Sequence, residues 1–283
     1  MPSLRALLMP NEFLQSSGDR VLTSWENFLA VEARFSTELT SARPGLLARG
    51  QADNEWALRP SLHRRIPNGL AAVGHLSIER QILERFKADV RIEAPDFTSP
   101  ADDDMFAWWD LLQHYGAPTR LLDWSTSMRV AAYFAVCERP ESDGAIWLLS
   151  PWVVFEGARR LVDPDEPLEN ICLDPNAPAV VVARPPRQWT DRITAQRSQF
   201  TLCTNIAVDH GQAISSIFAT GRPDFADQLF LRLHLPHQLK NQFLESLRAD
   251  GISEATLFPA TEARSALFRD LALAAAASAL GPG

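Results

Sequence analysis

The chain has 283 residues, 46% hydrophobic and 22% charged, proportions that exclude a disordered polymer and fit a globular protein. Its net charge of −8 excludes a surface coated in basic residues for nucleic acid, although a local basic cleft is compatible with it. The cysteines, Cys137, Cys172 and Cys203, are odd in number and far apart, which excludes a disulfide framework and a CxxC-type metal site and leaves free thiols.

The opening segment MPSLRALLMPNEFLQ has too short an apolar run for a signal peptide, and Pro10 interrupts it. No run approaches the roughly 20 apolar residues of a membrane span. The expectation is a cytoplasmic chain with no membrane association. Ser24 reads as an N-cap, after which Trp25, Phe28, Leu29 and Phe35 recur at helical spacing. Leu46–Arg49 is a short apolar run, read as a strand that delivers Arg49 to its end. Residues 51–65 are polar and punctuated by proline, which predicts a long shaped loop. Ser77 is the expected cap of a helix with Ile78, Ile82, Phe86 and Val90 on one face and Glu79 beside it. Asp102, Asp103 and Asp104 place negative charge at the start of a helix through Trp108, Trp109 and Leu112, where the dipole favours it. Gly116 is a plausible terminator.

Pro118 to Ser125 is expected to be irregular, because Pro118 cannot continue a helix, and Ser127 can cap a helix carrying Val130, Ala131, Phe134 and Cys137. AIWLL, residues 145–149, and AVVVA, residues 179–183, read as strands; the acidic, proline-rich stretch 163–178 reads as a solvated loop. Leu231, Leu233 and Leu235 alternate with Arg232 and His234, the pattern of a strand with one wet face. Leu239, Phe243 and Leu247 predict a helix ending near Gly251, and the alanine-rich stretch 261–280 a terminal helix. This irregular alternation points to an α/β (α+β) single domain: a central mixed β-sheet with surrounding helices.

The densest polar cluster is QHYGAPTRLLDWSTS, Gln113 to Ser127, which crowds His114, Tyr115, Thr119, Arg120, Asp123, Trp124, Ser125, Thr126 and Ser127 onto a link between two helices. Loops held by a rigid scaffold commonly carry sites. The competing reading is that Arg120 and Asp123 pair to pin the loop while Ser125 or Ser127 caps the next helix. A second cluster, Ala48 to Arg65, holds Arg49, Arg59, Arg64 and Arg65 with Asn54, Trp56 and His63. Its arginines could grip phosphate and Trp56 could stack a base, or the stretch is a solvated loop with its tryptophan in the core. A third stretch, Arg184 to Gln199, carries Arg184, Arg187, Arg192 and Arg197 against Asp191 alone. His234 and His237 flank Pro236, which argues against a metal site. Fingerprints for a dinucleotide Rossmann site, a P-loop or a GxSxG elbow are lacking.

Together the clusters resemble the FRG domain family. Arg49-Gly50-Gln51 followed by Trp56-x-Leu58-x-Pro60-Ser61-Leu62-x-Arg64 resembles its opening, and Glu79 with Phe86 its helical element. QHYGAPTRLLDW, Gln113–Trp124, resembles its most diagnostic string, and VAAYFA, Val130–Ala135, its sequel. Arg192-Ile193-x-x-Gln196 with Phe200-Thr201 resembles a later motif, and Gly251-Ile252 with Leu257-Phe258-Pro259 the closing element. The likeness spans about residues 45–262, with residues 1–44 as an N-terminal helical segment and 263–283 as a C-terminal helix on the same domain. The departures are Ala48 for the family's phenylalanine, Ser198 for a glycine, and Ala260-Thr261 for an acidic ending.

The chain also resembles, more weakly, the mono-ADP-ribosyltransferases. Arg49-Gly50, then Ser125-Thr126-Ser127 before Ala131 and Phe134-Ala135, then Gln196-x-Ser198 occur in that family's order, although the third element lacks its glutamate. The resemblance implies an ADP-ribosyltransferase-like fold and an enzyme that takes NAD as substrate and uses no metal. It would transfer ADP-ribose to a macromolecular acceptor, as a toxin or antiphage defence effector with a possible antitoxin. Catalytic positions would be Arg49, His114, Tyr115, Arg120, Asp123 and Gln196. NAD would be held by Gly50, Gln51, Thr119, Trp124, Ser125, Thr126, Ser127 and Gln199. Cleaving the nicotinamide–ribose bond builds positive charge on the ribose, which a carboxylate stabilises. Gln196 cannot supply that charge, so the expectation falls on Asp123 or Glu79. The alternatives are a binding module for a nucleotide or nucleic-acid end, and a nuclease or other hydrolase using His114, Arg120 and Asp123.

Overall fold

The computed structural model describes residues 19–39, 45–67, 69–151, 159, 161–219, 230–259 and 265–281. The first half runs β1 (Asp19–Val21), α1 (Trp25–Leu39), β2 (Leu47–Gln51), α2 (Ser61–Arg65), α3 (Ala72–Glu93), α4 (Met105–His114), β3 (Leu122–Ser125), α5 (Met128–Val136) and β4 (Gly144–Leu149). There follow α6 (Leu168–Leu173), β5 (Val181–Arg184), α7 (Asp191–Ala195), β6 (Ser198–Cys203), α8 (His210–Ala219), β7 (Phe230–Leu235), α9 (Lys240–Ala249), α10 (Glu254–Leu257) and α11 (Ser265–Leu280). The strands form one seven-stranded sheet in the order β1-β7-β4-β2-β3-β6-β5. β1 is parallel to β7 and the other pairings are antiparallel, so the sheet is mixed, as the sequence pattern predicts. Among the described residues no helix is long and apolar enough to cross a membrane.

The sheet has a weak seam at its centre. β4 and β7 share six register pairs and β2 and β4 share five, whereas β2 and β3 meet at Ala48↔Ser125 alone. The strands therefore part on one side of that pair, towards Gly50 and Asp123, and open a gap in the middle of the sheet. Helix α5 closes one face of it. Gly50 and Gly144 let α5 lie directly on β2 and β4: a Cβ at Gly50 would fall on the Ala131 carbonyl, and one at Gly144 on the Ala135 carbonyl. This is the physical reason for the glycine after Arg49.

Three apolar clusters fix the frame. On the α5 face, Ala48, Ala131, Ile146, Leu148, Leu233 and Leu235 pack with Phe28 of α1 and Phe243 of α9. A second cluster gathers Phe86, Trp108, Trp109, Phe200, Leu202 and Phe268. Leu47, Leu122, Trp124, Leu149, Val181 and Ile214 make the third.

Several expected elements change. Leu122 and Trp124 are buried while Asp123 between them is exposed, so the segment expected to be wholly irregular ends in a strand. Its period of two was hidden by the polar residues around it. α3 begins at Ala72, with no side-chain cap, and Ser77 is internal, its hydroxyl accepting from Gln81 at 3.1 Å. Ala72 and Leu76 extend its apolar stripe onto the second cluster, which outweighs the local capping signal. The loops expected at 51–65 and 163–178 each contain a short helix, α2 and α6. Ser127 does cap α5, accepting from the Val130 amide at 3.4 Å, and Asp104 caps α4, accepting from the Ala107 amide at 3.1 Å. The start of the expected terminal helix and the Ala260-Thr261 departure lie outside the described residues, as does the side chain of Phe35.

Candidate functional site

A cavity of about 210 Å³ lies where β2 and β3 part. β2 supplies Ala48, Arg49 and Gly50, β3 supplies Asp123, Trp124 and Ser125, and α5 supplies Val130, Ala131 and Phe134. Arg192, Gln196 and Ser198 close the remaining side. Segments separated by some 150 positions in the chain thus converge on one hollow, beside the single β2–β3 register pair.

Arg49 reaches across the gap. Its Nη1 donates to the Asp123 carbonyl at 2.7 Å, an oxygen that a continuous ladder would have used, and stands 3.9 Å from Asp123 Oδ2. Burial pushes the guanidinium down from its ordinary pKa, Asp123 opposes that shift and Arg64 adds to it. Asp123 Oδ2 also accepts from Gln113 Nε2 at 2.6 Å, and Gln113 in turn accepts from the Thr119 hydroxyl. The Asp123 side chain is 52% exposed, so a ligand in the hollow can reach it.

The Ser-Thr-Ser turn builds the wall by hydrogen bonding. Ser125 Oγ donates to the Gln196 carbonyl at 2.8 Å and accepts from the Ser127 amide at 3.0 Å. The Thr126 amide donates to the Arg197 carbonyl at 3.1 Å, although the Thr126 side chain is not part of the lining. Arg197 takes φ +48°, the left-handed turn that swings the chain from α7 into β6. Ser198, where the resembled motif has glycine, sits in ordinary strand conformation opposite Ser125 and lines the cavity. Gln196 is committed elsewhere at its amide, which donates to the Leu257 carbonyl at 3.1 Å.

Other expected site residues lie outside this cavity. Arg120, 1% exposed, turns away from the cavity. It pairs with Glu79 at 2.8 and 2.5 Å, donates to the Cys172 carbonyl at 3.0 Å and covers the Trp109 ring at 4.7 Å. Burial works to lower its pKa, but the adjoining Glu79 carboxylate outweighs that and holds it above the ordinary value. The predicted Arg120–Asp123 pair is therefore replaced by Arg120–Glu79, which also removes Glu79 as a substitute carboxylate for the cavity. The sequence places Arg120 three residues from Asp123, but the intervening turn into β3 sends them to opposite sides. Thr119 ties the link to α2, its amide donating to Ser61 Oγ at 3.1 Å. Gln51 is buried, bonded to the Ala57 carbonyl at 3.2 Å and to the Trp147 indole at 2.6 Å. Gln199 pairs with Trp124 in the ladder and is not among the lining residues.

His114 and Tyr115 line a separate hollow, so His114, Arg120 and Asp123 do not share a cavity. Trp56 is 40% exposed beneath the Arg139 guanidinium, and Arg59 is spent on the His63 carbonyl at 3.0 Å. His234 and His237 bracket Asp143 at 2.9 and 2.8 Å as hydrogen-bond partners; among the described residues no cluster of histidine, cysteine, aspartate and glutamate could hold a metal. Burial raises the Cys172 and Cys203 thiols to about 12 and that of Cys137 to about 11, which keeps all three protonated and unreactive near neutral pH. Ala48, Val130, Ala131, Phe134, Arg192 and Ser198 line the cavity without having been among the candidate site residues, although Arg192 and Ser198 stand in motifs the sequence analysis singled out. Arg192 and Gln196 are four positions apart, one helical turn, a spacing that could have revealed their shared face.

The family model of the FRG domain matches residues 46–144, the stretch that supplies β2, β3, α5 and the start of β4. No curated protein and no solved structure matches the chain. The match ends at Gly144, so Arg192, Gln196, Ser198 and Phe258 lie beyond it. Residues 46–144, with Arg49 and Asp123 among them, are thus an FRG domain match.

Proposed function

We propose that the cavity binds NAD and cleaves its nicotinamide–ribose bond, passing ADP-ribose to an acceptor. The observation that carries this reading is the meeting of the Arg49 guanidinium and the Asp123 carboxylate at one hollow between the parted strands. A fixed, bidentate-capable cation suits a phosphate, and a carboxylate beside it suits the developing ribose cation. As the C1′–N bond breaks, its electron pair leaves with nicotinamide, which becomes neutral. An acceptor oxygen or nitrogen then bonds to C1′ and gives up its proton. Gln113 holds Asp123 Oδ2, which leaves Oδ1 for the ribose.

Nicotinamide release by the purified protein tests this, with thermal melts measured alongside. Arg49→Lys is expected to lower turnover nearly as much as Arg49→Ala, because lysine is a point charge without the planar fork. Asp123→Asn is expected to lower kcat more than it raises KM, since the charge it stabilises exists only in the transition state. Unchanged turnover per folded Asp123→Asn molecule would overturn its assigned role.

The committed hydroxyl of Ser125 and amide of Gln196 favour a second reading, a nucleotide-binding module without chemistry. NAD binding without nicotinamide release, at every acceptor tried, would favour it. Shortening of a nucleic acid without NAD would instead favour the hydrolase alternative.

A further inference from the structure

We propose that Thr119 and Gln113 are positioning residues that fix the aim of the Asp123 carboxylate, an inference resting on the role in NAD cleavage given to Asp123. Asp123 is poorly placed to hold its own aim. It stands on a four-residue strand beside the gap, with its side chain 52% exposed. The last torsion of an aspartate is soft, so nothing within the residue itself fixes the plane of the carboxylate. Misplacing a reacting group by about 1 Å can cost a hundredfold in rate, which makes that plane worth holding. Thr119 and Gln113 are not among the residues that line the cavity, so they act on a ligand there through Asp123.

The hydrogen bonds between them form a chain with one possible polarity. At the far end the Leu121 amide donates to Thr119 Oγ1 at 3.1 Å. That hydroxyl has a single proton, and it goes to Gln113 Oε1. With its oxygen turned to Thr119, the Gln113 amide points its nitrogen the other way, and Nε2 donates to Asp123 Oδ2 at 2.6 Å. The reversed amide would set Oε1 against a carboxylate oxygen, acceptor against acceptor, and is excluded. A group that only donates stands at one end and a group that only accepts at the other, so each bond polarises the next in the same sense. The chain is anchored in the frame. Thr119 is 2% exposed; its amide donates to Ser61 Oγ and its carbonyl accepts from the Leu62 amide, both at 3.1 Å. α2 thus braces Asp123 through two side chains, while Arg49 Nη1 stands 3.9 Å from the same Oδ2. Thr119, expected to touch NAD, is instead two hydrogen bonds removed from the carboxylate's ligand.

Side-chain amide exchange and nicotinamide release, both measured on the full chain, test the assignment. By NMR the Gln113 amide signals, identified by their loss in Gln113→Met, should exchange slowly with solvent in the wild type. Thr119→Val keeps the shape and removes the hydroxyl, and should speed that exchange about tenfold. Thr119→Ser should restore it. In turnover, Thr119→Val and Gln113→Met should each lower kcat about tenfold with KM little changed, because the aim of Asp123 matters as the ribose charge develops. Thr119→Ser should recover most of that loss. Should Thr119→Val fail to fold, the wild-type exchange and Gln113→Met, at a half-buried position, decide the matter. Gln113 signals that exchange as fast as an exposed glutamine's, or that stay slow in Thr119→Val, would overturn the chain. Slow exchange that depends on the Thr119 hydroxyl, in a protein that releases no nicotinamide, would uphold the held carboxylate and sink the NAD-cleaving reading. Nicotinamide release that neither Thr119→Val nor Gln113→Met slows, with only the melting temperature lowered, would do the reverse.

Discussion

Arg49 and Arg120 carry the same side chain and do different work, and the difference is set by what surrounds each. Arg120 is enclosed with Glu79, so removing it strands a carboxylate away from water. Arg120→Ala should destabilise the fold by roughly 3–5 kcal/mol, the usual cost of breaking a buried pair, and leave any activity per folded molecule unchanged. A thermal melt beside a turnover assay separates this from the Arg49 result. His210 offers a second residue-scale test. Burial drives its pKa from 6.5 to about 3, with the Thr201 backbone opposing and the nearby His63 and Arg49 charges adding to the fall. Between those two values the unfolded chain holds a proton that the folded chain refuses, so stability drops as pH falls through that window. His210→Phe should flatten the dependence of denaturant stability on pH between about 6.5 and 5, by up to ~1.4 kcal/mol per pH unit. An unchanged slope would mean that His210 is not held neutral in the fold.

At the scale of elements, the contact of α5 with β2 and β4 decides whether the site exists. Gly50→Ala puts a methyl onto the Ala131 carbonyl, and neither backbone can yield without moving the helix. Overpacking of this kind costs roughly 1–3 kcal/mol or more. Gly50→Ala should lower the melting temperature, and it should also weaken ligand binding in the molecules that remain folded, because α5 forms one wall of the cavity. Gly116→Ala is a useful contrast. Gly116 has φ +84° with open space around it, so alanine there meets backbone strain without a clash, and binding should survive a modest loss of stability.

For the whole molecule, the sheet behaves as two ladders joined by one register pair. The six pairs of β4 and β7 and the five of β2 and β4 form one block, and β3, β6 and β5 form the other. Hydrogen exchange should find the amides facing the β2–β3 gap less protected than those shared by β4 and β7, since opening the gap breaks fewer bonds. A ligand in the cavity should raise protection selectively along β2 and β3. Uniform protection across the sheet would argue that the gap has no mechanical consequence.

Much of the frame was legible in the sequence, because it is written in local periodicity. The alternation of Leu231, Leu233 and Leu235, the apolar run 145–149, the cap at Ser127, and the mixed α/β class all follow from side-chain spacing and capping chemistry. Of the polar groups crowded between Gln113 and Ser127, Asp123, Trp124 and Ser125 line the cavity, where Arg49 and Gln196 also meet. What the sequence could not decide was direction. Whether Arg120 or Asp123 faces the cavity depends on where the turn into β3 ends, and that depends on Leu122 and Trp124 finding their apolar cluster. The partner of Arg120 lies 41 positions away and that of Ser125 71 positions away, separations across which no periodicity runs. The gap that makes the cavity comes from a ladder interrupted after one pair, a property of two strands and the helix laid across them. Local spacing chose the elements; long-range burial and strand pairing chose which side chains look into the hollow.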